Sequence, residues 1–106
     1  MRASFEGVWG KVIREFRPAF RVENWSQVRG YTGGNFRIEH VGNSGIMVFG
    51  GNMSVPRAVS RGEFEKVYAV WDEYTAGEYS RAELTKLSQN TTYILSILHS
   101  VLDAAA

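Results

Sequence analysis

Ser60-Arg61-Gly62-Glu63-Phe64-Glu65-Lys66-Val67-Tyr68-Ala69-Val70-Trp71-Asp72-Glu73-Tyr74-Thr75-Ala76-Gly77 carries a helix start, an apolar stripe and a helix stop in one run. A serine three residues before a glutamate spells a capping box, in which each side chain satisfies a backbone N–H at the other's position. Phe64, Val67, Tyr68, Trp71 and Tyr74 recur every three or four residues, so they share one face of a helix. Gly77 suits the left-handed residue that closes such a helix. The spacing predicts a helix over 61–76. Ser80-Arg81-Ala82-Glu83 repeats the box and predicts a second helix over 81–88. Thr91-Thr92 opens a third over 92–103, with Ile94, Leu95, Ile97, Leu98, Val101 and Leu102 on its apolar side and Ser96, Ser100 and Asp103 opposite.

Upstream, Phe5, Val8, Trp9, Val12, Ile13 and Phe16 mark one face of an amphipathic helix over 4–17, with Ser4 as N-cap. Pro18 ends it, because the residue before a proline is pushed out of helical geometry. Residues 20–25 alternate weakly, as a short edge strand or a loop. Gly30-Tyr31-Thr32-Gly33-Gly34-Asn35 reads as turns. Phe36, Ile38 and His40 alternate with Arg37, Glu39 and Val41 as a strand should. Gly42-Asn43-Ser44-Gly45 then forms a four-residue hairpin loop before the apolar strand Ile46-Met47-Val48-Phe49. After the turn at Gly50-Gly51-Asn52, residues 53–59 add a third strand, which Pro56 restricts to a sheet edge. The expected fold is therefore α+β in one domain spanning 1–106: an N-terminal helix, a small antiparallel sheet of two or three strands over 36–59, and a three-helix C-terminal half.

Composition narrows the function. The chain has 106 residues, 44% hydrophobic and 22% charged, with three tryptophans, five tyrosines and six phenylalanines. That is enough for one aromatic-rich core. The formal net charge of +1 is not the basic excess of a nucleic-acid binder. With no cysteine there is no disulfide, thiolate nucleophile or cysteine zinc site. Phe5-Glu6 interrupts any secretory leader, and no run approaches the roughly 20 apolar residues of a membrane span. A cytoplasmic protein is expected, and the sequons at Asn24, Asn52 and Asn90 are read as chance matches.

Candidate chemistry is sparse. His40 and His99 lack a partner at metal-ligand spacing, so neither a metal nor another cofactor is expected. Glu63, Glu65, Asp72 and Glu73 read as a solvated helix face, because adjacent helical positions do not face one another. The glycines at 30–34 lead into a strand and lack the lysine and helix of a phosphate loop. No catalytic residue is assigned, and an enzyme is not favoured.

Three binding readings remain. The first is a non-enzymatic binding or assembly module, pairing with itself through the last helix or a sheet edge. The second is a DNA-associated accessory protein. Residues 81–98 have the outline of a helix-turn-helix, with Arg57, Arg61, Arg81 and Lys86 for phosphates and Thr91, Thr92 and Tyr93 on the second helix. That second helix has no arginine or lysine, so nucleic acid is not favoured. The third is a small-molecule or protein partner held in an aromatic pocket at Tyr68, Trp71, Tyr74 and Tyr79.

Val59-Ser60-Arg61-Gly62-Glu63-Phe64-Glu65-Lys66-Val67-Tyr68, then Trp71 and Tyr74, then Asn90-Thr91-Thr92-Tyr93-Ile94-Leu95-Ser96-Ile97-Leu98, resembles small uncharacterised bacterial proteins of mobile elements such as integron gene cassettes. The resemblance implies a bacterial cytosolic protein and frequent homo-oligomers. It brings no catalytic residues.

Overall fold

Ser60 ends one strand and starts one helix, and the rest of the fold is arranged around that junction. In the computed structural model, which describes residues 4–16, 20–27, 29–50 and 53–102, Ser60 Oγ accepts the Glu63 N–H at 3.2 Å while Glu63 Oε2 accepts the Ser60 N–H at 2.8 Å. The element order is α1 (Phe5–Glu15), β1 (Arg21–Ser26), β2 (Gly30–Gly42), β3 (Gly45–Phe49), β4 (Arg57–Ser60), α2 (Arg61–Ala69), α3 (Trp71–Thr75), α4 (Arg81–Thr85) and α5 (Thr91–Leu102).

The sheet is larger than two or three strands and begins well before Phe36. It has four strands in the order β1-β2-β3-β4, every neighbouring pair antiparallel. The glycine-rich piece expected to turn instead lies inside β2. Its turn chemistry serves a bulge: pairing runs from Glu23↔Asn35 to Trp25↔Tyr31, so a single residue of β1, Asn24, faces three of β2. Gly33 supplies the positive φ of 91° that this detour needs. The β2–β3 connection is also tighter than four residues, because Gly42 pairs with Gly45 and only Asn43 and Ser44 remain in the turn.

Among the described residues the C-terminal half contains four helices and not three. The helix expected over 61–76 breaks at Val70, whose φ and ψ of −113° and 16° leave the helical region. The break turns Trp71 and Tyr74 toward β1, where Trp25 lies 6.0 and 6.5 Å from their rings. α4 stops at Thr85, short of Ser88. The N-terminal helix runs Phe5–Glu15 behind its Ser4 cap; the expected stop at Arg17-Pro18 and the final Asp103 fall outside the described residues.

α5 occupies the middle of the molecule. Ile94, Leu95, Ile97 and Leu98 are each 0% exposed, and Ser96, expected opposite the apolar side, is buried as well. The helix runs along β1, while α1 and α2 complete the cover of the inner sheet face through Val12, Trp9, Phe64 and Val67. Burial of so many large side chains is the main stabilising term, at about 1.5–3 kcal/mol per side chain. No helix among the described residues is long and apolar enough to cross a membrane.

Side chains from the C-terminal half reach backbone groups at both sheet edges. On β4, Asn90 Nδ2 donates to the Ala58 carbonyl at 3.3 Å and Glu63 takes the Ser60 N–H. At β1, Ser96 Oγ accepts the Trp25 N–H and Tyr74 Oη accepts the Gln27 N–H, both at 2.9 Å. Edges covered in this way are poor templates for another strand.

Candidate functional site

The aromatic stripe forms core. Tyr68, Trp71 and Tyr74 are 4%, 5% and 3% exposed and pack on Phe5, Trp25 and one another. Tyr79 is half-buried against the same cluster. None of the four lines the groove at the end of the sheet.

The residues considered for DNA divide among separate tasks. Thr91 is buried and donates to the Ser88 carbonyl at 2.7 Å. Thr92 accepts a hydrogen bond from Arg81, which ties α4 to α5. Tyr93 lies edge-on to Phe36 with ring centroids 5.0 Å apart. Arg61 pairs with Glu6 and covers the Phe5 ring from 5.1 Å, so it fastens α2 to α1. Lys86 is exposed at the end of α4. Arg57, on β4, reaches Asn90 Oδ1 at 3.4 Å.

Glu63, expected on a solvated face, is the hub of a polar cluster joining β4, α2 and the start of α5. Its Oε1 accepts from Ser88 Oγ at 2.6 Å and from Asn90 Nδ2 at 2.9 Å, while Oε2 accepts from the Ser60 backbone and hydroxyl. Burial by itself would raise this carboxyl's pKa. The hydrogen bonds from Ser88, Ser60 and Asn90 outweigh it and hold the group below the ordinary glutamate range. Every acceptor here has donors, so the cluster is a fastening.

The groove lies at the end of the sheet where the β1–β2 bulge meets the segment between β3 and β4. It encloses about 640 Å³. Phe36 and Tyr93 provide its aromatic part, and Met53, Val55 and Pro56 form an apolar wall. Asn24, Asn35 and Arg57 supply polarity. Asn35 Oδ1 is engaged by Arg21 at 3.0 Å. Asn24 Oδ1 is buried and accepts no hydrogen bond from any described residue. The amide is lodged against Gly34, where a Cβ would come within 2.7 Å of Asn24 Nδ2. A side chain at 34 would therefore displace the Asn24 amide. Buried polar atoms normally find a partner, which makes Asn24 an exception that calls for an explanation.

Neither histidine enters this groove. His99 stacks on Trp25 with ring centroids 3.9 Å apart, and His40 lies on the exposed side of β2 beside a second groove of about 290 Å³. Among the described residues no three of His, Cys, Asp or Glu gather to hold a metal. Among the described residues the main groove is lined by one formal charge, Arg57, and by no carboxylate.

No family model, no curated protein and no solved structure matches this chain. Of the groove's residues the sequence reading singled out Arg57 and Tyr93, for contacts to DNA, and missed the rest. They come from positions 24, 35, 36, 50, 53–57 and 93, with no local spacing among them. The one signal was Gly33-Gly34 beside a strand, which indicates a bulge as readily as a turn.

Proposed function

We propose that the protein is a non-catalytic binding module that holds a small molecule in the sheet-end groove. The carrying observation is the buried Asn24 Oδ1, to which no described residue donates, in a side chain that lines a groove large enough for a drug-sized ligand. A ligand N–H or O–H directed at that oxygen removes the penalty of leaving it bare, about 1–3 kcal/mol. The groove is a different place from the aromatic pocket expected at Tyr68, Trp71, Tyr74 and Tyr79, and its aromatic wall is Tyr93, edge-on to the buried Phe36.

The self-association reading draws less support from α5, because Ile94, Leu95, Ile97 and Leu98 are buried within the chain itself. The DNA reading draws no support, since α5 is enclosed and Thr91 is committed internally. A screen of small molecules by amide chemical-shift mapping tests the proposal. Hits should move the resonances of Asn24, Asn35 and Phe36 together. Hits clustered elsewhere, or none from a broad library, would reject the groove as the site.

A further inference from the structure

We infer that the groove selects small organic acids: molecules with an apolar or aromatic body, an anionic head for Arg57 and an N–H donor for Asn24. The inference rests on the groove reading and adds the ligand's chemical class. Charge is its first support. Among the lining residues Arg57 alone carries a formal charge, so an anion gains attraction there and a cation meets repulsion. Arg57 is anchored on one side only. Nη1 makes a long 3.4 Å contact with Asn90 Oδ1, while the Asn90 amide is itself held by Glu63 and the Ala58 carbonyl. The other guanidinium N–H groups have no partner among the described residues, and their planar fork matches a carboxylate.

Asn24 is the second support, and it points to a different part of the ligand. Its free atom is an oxygen, so it asks for a donor. A fully deprotonated anion without an N–H or O–H leaves it bare. Tyr93, with Met53, Val55 and Pro56, offers apolar surface for the body that links the two ends. An N-acylated aromatic amino acid combines all three features in one small compound.

The experiment titrates the intact protein with four probes and follows amide chemical shifts. N-acetyl-L-phenylalanine carries the acid and the N–H; its methyl ester lacks the charge; 3-phenylpropanoate keeps the charge without the amide N–H; phenethylamine reverses the charge. For a compound of this size the first probe should bind with Kd on the order of 1 mM. The ester and the amine should bind at least about tenfold more weakly, and 3-phenylpropanoate about fivefold more weakly. Arg57→Gln should bring acid and ester to equal affinity, and Arg57→Lys should preserve much of the difference. Asn24→Ala should bring N-acetyl-L-phenylalanine and 3-phenylpropanoate together. Each variant's amide spectrum reports whether it is folded, and Arg57→Lys carries the charge test if Arg57→Gln is not. If acid, ester and amine bind the groove alike, selection for an anion is wrong while the groove reading stands. If no probe shifts the groove resonances, both are wrong.

Discussion

Asn90 and Asn24 carry the same side chain into opposite circumstances. Asn90, at the entrance to α5, gives its Nδ2 to Glu63 and to the Ala58 carbonyl and receives Arg57 at Oδ1. Asn24, in the β1 bulge, keeps a buried Oδ1 with no donor among the described residues. The first amide belongs to a network in which each polar group answers another. The second is a cost the fold tolerates beside an open groove. Polar groups that serve stability come satisfied, and those that serve binding wait for a partner. The contrast can be broken from either side.

The largest effect should come from the hub of the satisfied cluster. Glu63→Ala removes the acceptor of Ser88, Asn90 and the Ser60 backbone N–H at once. It also frees the Ser60 N–H at the β4 edge and removes the side-chain half of the α2 capping box, while the Glu63 N–H keeps its bond to Ser60 Oγ. The expected loss is roughly 2–4 kcal/mol in urea unfolding. A loss under about 0.5 kcal/mol would mean the cluster is ornamental, and the distinction from Asn24 would collapse.

Acid should reveal the same hub without a change of backbone. Glu63 sits below the ordinary glutamate range when folded, against burial, because of the hydrogen bonds from Ser88, Ser60 and Asn90. A carboxyl depressed in the folded state stabilises the fold above its unfolded pKa. That contribution disappears as pH falls through the folded value. Stability should therefore decline on acidification, and the decline should be shallower in Glu63→Gln, which cannot ionise. Denaturant midpoints across the acid range measure it; parallel curves for the two proteins would remove Glu63 from the account.

A smaller effect belongs to the other sheet edge. Ser96 Oγ accepts the Trp25 N–H at 2.9 Å and donates to the Thr92 carbonyl at 2.8 Å. Ser96→Ala leaves a buried N–H bare next to the bulge, for a loss of about 1–2 kcal/mol. It also unlocks part of β1, so light scattering should detect self-association in the variant and a monomer in the parent. A dimeric parent would show that a surface other than these edges, such as the outer sheet face around Met47 and Phe49, joins two copies.

Much of the satisfied half could be read before the fold was known, and little of the unsatisfied half. Both capping boxes are spelled by a serine and a glutamate three residues apart, a local code that tertiary packing left intact. The apolar face of 64–74 was correct, but periodicity cannot separate core from pocket, and Tyr68, Trp71 and Tyr74 became core. The break at Val70 had no glycine or proline to announce it; the pull of Trp25 on Trp71 and Tyr74 is tertiary. Gly30 to Asn35 looked like turns because glycine permits both turns and bulges, and pairing with β1 decides between them. Ser96 looked solvent-facing because its partner, the Trp25 N–H, lies 71 residues away.

Asn24 offers the smallest effect and the sharpest one, because its sign should be reversed. Truncating an amide in the Glu63 cluster strips partners from groups that have them. Asn24→Ala removes an oxygen to which no described residue donates a hydrogen bond. Stability should stay level or rise, by no more than about 1 kcal/mol, because a buried acceptor without a donor is a penalty in the folded state. Ligand affinity should fall in the same variant. That pairing of a steady or higher Tm with weaker binding is the mark of a residue kept for its ligand. A clear loss of stability in Asn24→Ala would instead place this amide alongside Asn90, as a structural group, and the groove would lose its strongest claim to be a site.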